Sequence, residues 1–235
     1  MKQIIPGLHM FSGLFFGRVY LIEDSDGLSI IDASIESAAD KIIRQLKAAG
    51  HQPSDVKRIL ITHGHPDHIG GLPMLQEITG AKVIASAIER PVIEGTTPIP
   101  RVAADKLSGI AKLMRPRKDE TMPGTPVDRV VEEGSKIPEV MGGLEVLATP
   151  GHTYGHVTFW QPEKKIAFCG DVIMRMWSLS LPFAAFTVDM EANKRSIKRL
   201  AELDADMICF GHGNPFTEGT AQTIRAFARK VGALT

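Results

Sequence analysis

Residues 62–71, THGHPDHIGG, place three histidines and an aspartate within six positions and set glycine and proline among them. Glycine and proline disfavour a helix here. The short apolar run before them, VKRILIT, reads as a buried strand that delivers the chain into this stretch. At the end of a strand, His63 and His65 are two residues apart and point to the same side. Gly64 between them adds no side chain to crowd the site. Pro66 is expected to stop the strand and bend the chain, which swings Asp67 and His68 toward a second point. One segment can then supply two adjacent metal positions, and any fold that uses it must gather further donors at the same rim.

Three other segments offer such donors, each at the end of a predicted strand: TPGHTYGH with His152, CGD with Asp171, and FGHG with His212. Five of the eight histidines are thus candidate donors at glycine-flanked strand ends, where loops carry function. Imidazole and carboxylate without thiolate suit zinc, manganese or iron. Cys169 and Cys209 lie on predicted buried strands and are expected to be small apolar fillers.

Around these segments, strand-rich and helical stretches alternate. The N-terminal 35 residues are expected to be β, followed by a helix at about 36–49, helices after Gly70 and at 190–203 (capped by Asp189), and a last helix around Ile224 and Phe227. The pattern favours layered sheets with helices outside. Residues 91–126 stand apart, with proline at 91, 98, 100, 116, 123 and 126 and a predicted helix at 101–114. They are expected to form an insertion or lid on a single domain spanning 1–235. The basic run at 101–118 is expected to be a solvated face.

Lysine plus arginine and aspartate plus glutamate balance at 27 each, so no general field draws in nucleic acid or an anionic membrane. The two cysteines are too few for a disulfide framework, and the N-terminal stretch does not read as a secretory signal. A cytoplasmic location is the expectation, with a small-molecule substrate, no nucleic-acid or membrane partner, and an oligomeric state, homodimer included, left open.

The motif series resembles that of the metallo-β-lactamase superfamily, His-x-His-x-Asp-His followed by distant His, Asp and His, and covers nearly the whole chain. The resemblance implies an α+β fold, a four-layer αββα sandwich of two mixed sheets flanked by helices. It implies two divalent ions, zinc first with manganese or iron as alternatives. By it, His63, His65 and His152 hold one ion, Asp67, His68 and His212 the other, and Asp171 bridges them. Asp32 and His156 are expected to support these ligands from behind. Two such ions can share a water, lower its pKa toward neutrality and turn it into the attacking hydroxide, with Asp67 aiming it.

The family's substrates range widely. Only 23 residues follow His212, too few for the helical domain of glyoxalase II thioesterases. Met174 stands where many acyl-homoserine lactonases carry tyrosine. The expectation is a hydrolase of a small ester, thioester or lactone. A mononuclear iron persulfide dioxygenase and a non-catalytic metal-binding protein are the alternatives. Met174, Met176 and Trp177, with Leu179, Phe183 and Phe186, either line a substrate pocket or pack the 91–126 segment onto the body. Tyr154 either faces substrate or packs.

Overall fold

The computed structural model describes residues 1–116 and 118–234. In chain order its strands are β1 Lys2–Ile5, β2 Leu8–Met10, β3 Tyr20–Asp24, β4 Gly27–Ile31, β5 Val56–Leu60, β6 Lys82–Ser86, β7 Arg129–Val131, β8 Lys136–Ile137, β9 Leu144–Ala148, β10 Val157–Gln161, β11 Ile166–Gly170, β12 Met174–Arg175, β13 Leu179–Ser180 and β14 Met207–Phe210. The helices are α1 Ala39–Ala48, α2 Pro66–Ile69, α3 Leu72–Thr79, α4 Arg90–Ile93, α5 Gly109–Met114, α6 Met190–Glu202 and α7 Thr220–Lys230.

Successive side chains of a strand face opposite ways, so an apolar run must be buried on both sides. Along β5 and into the residue after it, Ile59 and Ile61 face one layer and Leu60 the other. Val83 and Ala85 likewise oppose Ile84 in β6. One set packs under Ile42 and Leu46 of α1 and Leu72 and Leu75 of α3. The other set meets Val146, Phe159 and Phe168 from a second sheet. That sheet turns its remaining apolar face, with Trp160, Cys169 and Phe210, against Ile197 and Leu200 of α6 and Ile224 and Phe227 of α7. Three apolar seams therefore stack four layers, helix, sheet, sheet and helix. The architecture is the expected αββα sandwich.

The first sheet runs β1 through β7 in sequence order, antiparallel as far as β4 and parallel from β4 to β7. The second runs β14-β11-β10-β9-β8, with β14 parallel to β11. The parallel partners β4 and β5 end at the same rim where β11 and β14 end. The sheets are tied together there: Val157 N–H donates to Thr62 O (3.0 Å), and the Tyr20 hydroxyl donates to Phe210 O (2.8 Å). Cys169 and Cys209 are buried free thiols within these seams. Asp189 caps α6, its Oδ1 accepting from Ala192 N–H at 2.9 Å.

Two local expectations are corrected. The strand before the His/Asp cluster ends at Leu60, and Pro66 opens the helical turn α2 instead of merely bending the chain. Proline suits that first helical position because its missing N–H would be unpaired there anyway. The helix expected at 101–114 is instead a 3-10 turn at Ala104–Lys106 and the short α5, separated by extended Leu107 and Ser108. Val102 and Leu107 are both buried. Five helical steps would set them about 140° apart, on different faces of a continuous helix, whereas the observed break leaves both buried. The basic run has exposed lysines at 106, 112 and 118, and its Arg117 lies outside the described residues. Among the described residues, no helix is long and apolar enough to cross a membrane.

Phe159 is fully buried and pairs across β10 and β11 with Phe168 in the seam between the sheets. Phe159→Ala should cost about 3–5 kcal/mol of unfolding free energy. Denaturant titration checks this, and a loss under about 1 kcal/mol would contradict the two-sheet packing.

Candidate metal centre

Four loops at the shared rim carry the donors: the turn after β5 with His63, His65, Asp67 and His68, the β9–β10 connection with His152, the end of β11 with Asp171, and the end of β14 with His212. Their ligand atoms form three overlapping groups, each within 4.8 Å: His63, His65 and His152; His63, His68 and Asp171; and Asp67, His68 and His212. His65 Nδ1 lies 2.9 Å from His152 Nε2, and His212 Nε2 lies 3.0 Å from Asp67 Oδ2. Asp171 Oδ2 sits between the outer groups, 3.5 Å from His152 Nε2 and 3.2 Å from His212 Nε2. All seven of the expected donors are brought together.

The outward nitrogens determine which atom each ring turns inward. The Thr62 hydroxyl donates to Asp32 (2.9 Å to Oδ2), so it accepts from His63 Nδ1–H at 3.0 Å, which leaves His63 Nε2 bare. Asp32 also accepts from Thr62 N–H (2.8 Å) and from His68 Nδ1–H (2.8 Å). The Thr187 hydroxyl donates to Phe183 O (3.0 Å) and therefore accepts from His152 Nδ1–H at 3.2 Å. His156 uses both nitrogens behind the site: Nε2 accepts from Asp171 N–H at 3.1 Å, so Nδ1–H donates to Thr149 Oγ1 at 2.9 Å.

The donors test whether a cation fits. His63 Nε2, His68 Nε2 and Asp171 Oδ1 are buried and find no hydrogen-bond partner among the described residues. A buried polar atom without a partner costs free energy that a bound cation would recover. Donors about 2.1 Å from a tetrahedral ion stand roughly 3.4 Å apart, which matches the spacings around Asp171. The residues present fit a divalent metal.

Burial, foremost, holds His63 and His152 well below the ordinary imidazole range and His65 at about 4, so these three are kept neutral, as a metal ligand must be. Burial lowers His156 to about 3. Burial would also depress His68 and His212, but the Asp171 carboxylate, joined by Asp67 and, at His68, by Asp32, outweighs it. His68 stands well above its usual value and His212 at about 9. Burial would raise Asp67, yet His68 and His212 hold it at about 2.

Above the donors opens a cleft of about 390 Å³, walled by Phe16, Met174, Met176, Phe183 and Phe186, with Ile99, Arg101 and Lys118 of the 91–126 segment along one side. Arg101 is tied within its own segment by an ion pair to Asp119 at 2.5 Å. Tyr154 and Trp177 do not line the cleft. Tyr154 is 57% exposed, and Trp177 is 99% exposed at the tip of the β12–β13 ribbon. Thr62, Thr187 and Glu89 are site-supporting residues that the motif reading does not reach. A buried glutamate at a strand–helix corner carries no spacing signal.

Residues 12–212 match the family model of the metallo-beta-lactamase superfamily. The protein named Probable metallo-hydrolase YybB, from Bacillus subtilis (strain 168), is 30% identical over 197 residues, covering 83% of this chain and 80% of its own. A hydroxyacylglutathione hydrolase of Cereibacter sphaeroides (strain ATCC 17029) is 30% identical over 168 residues, 71% of this chain but 52% of that relative, so the chain spans about half its length. Among solved structures, a metallo-beta-lactamase family protein from Thermus thermophilus is similar with a TM-score of 0.72 at 24% identity, over 98% of this chain and 81% of that one. At that identity the likeness shows the fold alone.

The pKa pattern predicts how the metal-free chain responds to acid. Histidines held neutral by burial contribute stability in full above the unfolded value of about 6.5. That contribution is lost as pH falls through the values of about 4 for His65 and about 3 for His156. The His212 ion pairs act oppositely: their stability is present below about 6.5 and lost as pH rises through about 9. Thermal unfolding in excess chelator should show Tm falling between pH 6.5 and 4. Added zinc should raise Tm more at pH 8 than at pH 5, because protons compete for the imidazoles. A flat acid arm would contradict the burial of neutral rings.

Proposed function

This chain belongs to the metallo-beta-lactamase superfamily as one of its metal-dependent hydrolases, and on that premise we propose that it cleaves small esters, thioesters or lactones at a centre of two divalent ions, zinc first. The observation that carries this reading is the overlap of three donor groups at the floor of one apolar cleft. His63, His65 and His152 would hold one ion and Asp67, His68 and His212 the other, with Asp171 reaching toward both. When bound, such ions supply Lewis acidity and bring the pKa of water toward neutrality.

The chain's own residues do the rest. Asp67 is only partly buried, and its carboxylate faces the cleft beside His212, so it can accept a hydrogen bond from a water and aim it at a substrate carbonyl. Asp32 and Thr62 hold His68 and His63 with their Nε2 atoms inward, and His156 fixes the backbone of Asp171. Phe16, Met174, Phe183 and Phe186 offer an apolar wall to the hydrocarbon part of an acyl group. A cleft of about 390 Å³ lies at the lower end of the range used for small molecules. The likeness to a protein named hydroxyacylglutathione hydrolase supports an acyl substrate.

Elemental analysis of the purified protein, joined to a panel of esters, thioesters, lactones and phosphoesters, tests this. Two zinc per chain and turnover of an acyl substrate are expected. Asp67→Ala should lower kcat/KM by about 10²–10⁴-fold, the contribution of a positioned proton acceptor, while the thermal transition is retained. One iron per chain with oxygen consumption on a persulfide would establish the dioxygenase reading instead. Bound metal with no turnover on any substrate would leave a binding protein.

A further inference from the structure

Glu89 belongs to none of the three donor groups, yet it joins two of the loops that carry them. It sits at the corner between β6 and α4 and is 4% exposed. Its Oε2 accepts the N–H of Gly64 at 2.8 Å, and its Oε1 accepts the N–H of Gly155 at 2.7 Å. Gly64 separates His63 from His65, and Gly155 lies three residues beyond His152. The same corner grips Gly155 from its other side, where the Ser86 hydroxyl donates to Gly155 O at 2.7 Å. Glu89 N–H in turn donates to Ser86 Oγ at 3.3 Å.

The closeness of this grip explains both glycines. A Cβ on Gly64 would stand 2.9 Å from Glu89 Oε2, and a Cβ on Gly155 would stand 2.8 Å from Glu89 Oε1 and 2.6 Å from Ile88 Cβ. Gly64 is thus needed on the side away from the metal donors, to let the carboxylate approach. Removing this acceptor would strand two buried N–H groups.

We propose that Glu89 is a positioning residue: it fixes the separation between the His63–His65 loop and the His152 loop, and so sets the metal affinity of the three-histidine pocket without touching the ion. This rests on the reading that His63, His65 and His152 hold an ion. The two loops that Glu89 holds bring His65 Nδ1 and His152 Nε2 face to face, 2.9 Å apart. Glu89 makes no hydrogen bond to Asp67, His68 or His212, so the second pocket should not depend on it.

The test is zinc titration of chelator-stripped protein against a competing chromophoric chelator. In a His212→Ala background, which leaves the three-histidine pocket, Glu89→Gln should weaken zinc binding about 10–100-fold, because its amide NH2 must face one of the two N–H groups. In a His152→Ala background, which leaves the other pocket, Glu89→Gln should change nothing. Ser86→Ala should weaken the three-histidine pocket in the same direction, and it carries the test if the Glu89 variant does not fold. Unchanged affinity in the His212→Ala background, or equal loss in both backgrounds, would overturn the assignment. Wild-type protein that takes up no zinc at all would instead remove the underlying metal reading.

Discussion

Asp32 carries the arrangement on which the centre depends. Its carboxylate accepts from the backbone and hydroxyl of Thr62 and from His68, and through them it orients two of the converging rings. Asp32 and Ser34 both adopt left-handed backbone conformations, with φ of 61° and 57°. Such residues cost free energy unless their surroundings hold them, and they concentrate at functional sites. Here Asp32 N–H is bound to Leu60 O at 2.9 Å and its carboxylate is fully engaged. The strain is carried so that His63 and His68 turn Nε2 atoms without hydrogen-bond partners into one buried neighbourhood, an unfavourable arrangement unless a cation occupies it.

The sandwich supplies the frame for that arrangement. Two sheets share an apolar seam, and each brings a parallel strand pair to the same rim, so residues as far apart as 67 and 212 meet. Above the rim, the β12–β13 ribbon, the Phe16 loop and the excursion between β6 and β7 form walls that differ in kind from the floor. The floor is polar and tightly bonded. The walls are mostly apolar, from buried Met174 to half-exposed Phe16 and Phe183, with Arg101 and Lys118 along one side. Family and fold follow from the floor and the frame, whereas under the proposed function the choice of substrate would reside in the walls.

Much of the floor was legible in the chain before any coordinates, because each ligand segment announces itself locally: a histidine or aspartate, flanked by glycine, at the end of an apolar run. The layered architecture was legible for the same reason, since strand runs such as VKRILIT are apolar on both faces. The supports were not. Thr62 and Thr187 are ordinary residue types, and Glu89 acts on glycines 25 and 66 positions away. Tyr154 and Trp177 adjoin ligand segments, but adjacency does not fix which way a loop side chain turns, and both face solvent. The helix expected at 101–114 is broken at Leu107 and Ser108, whose extended backbone accompanies the burial of both Val102 and Leu107.

The central claim is that seven side chains on four loops converge on a pair of cations. Anomalous diffraction from crystals of the zinc-loaded protein tests it most directly. The account predicts two zinc peaks roughly 3.5–4 Å apart at the cleft floor, one within about 2.2 Å of His63, His65 and His152 and the other similarly close to Asp67, His68 and His212. Zinc bound away from these residues, or full occupancy with the imidazole nitrogens turned elsewhere, would contradict it.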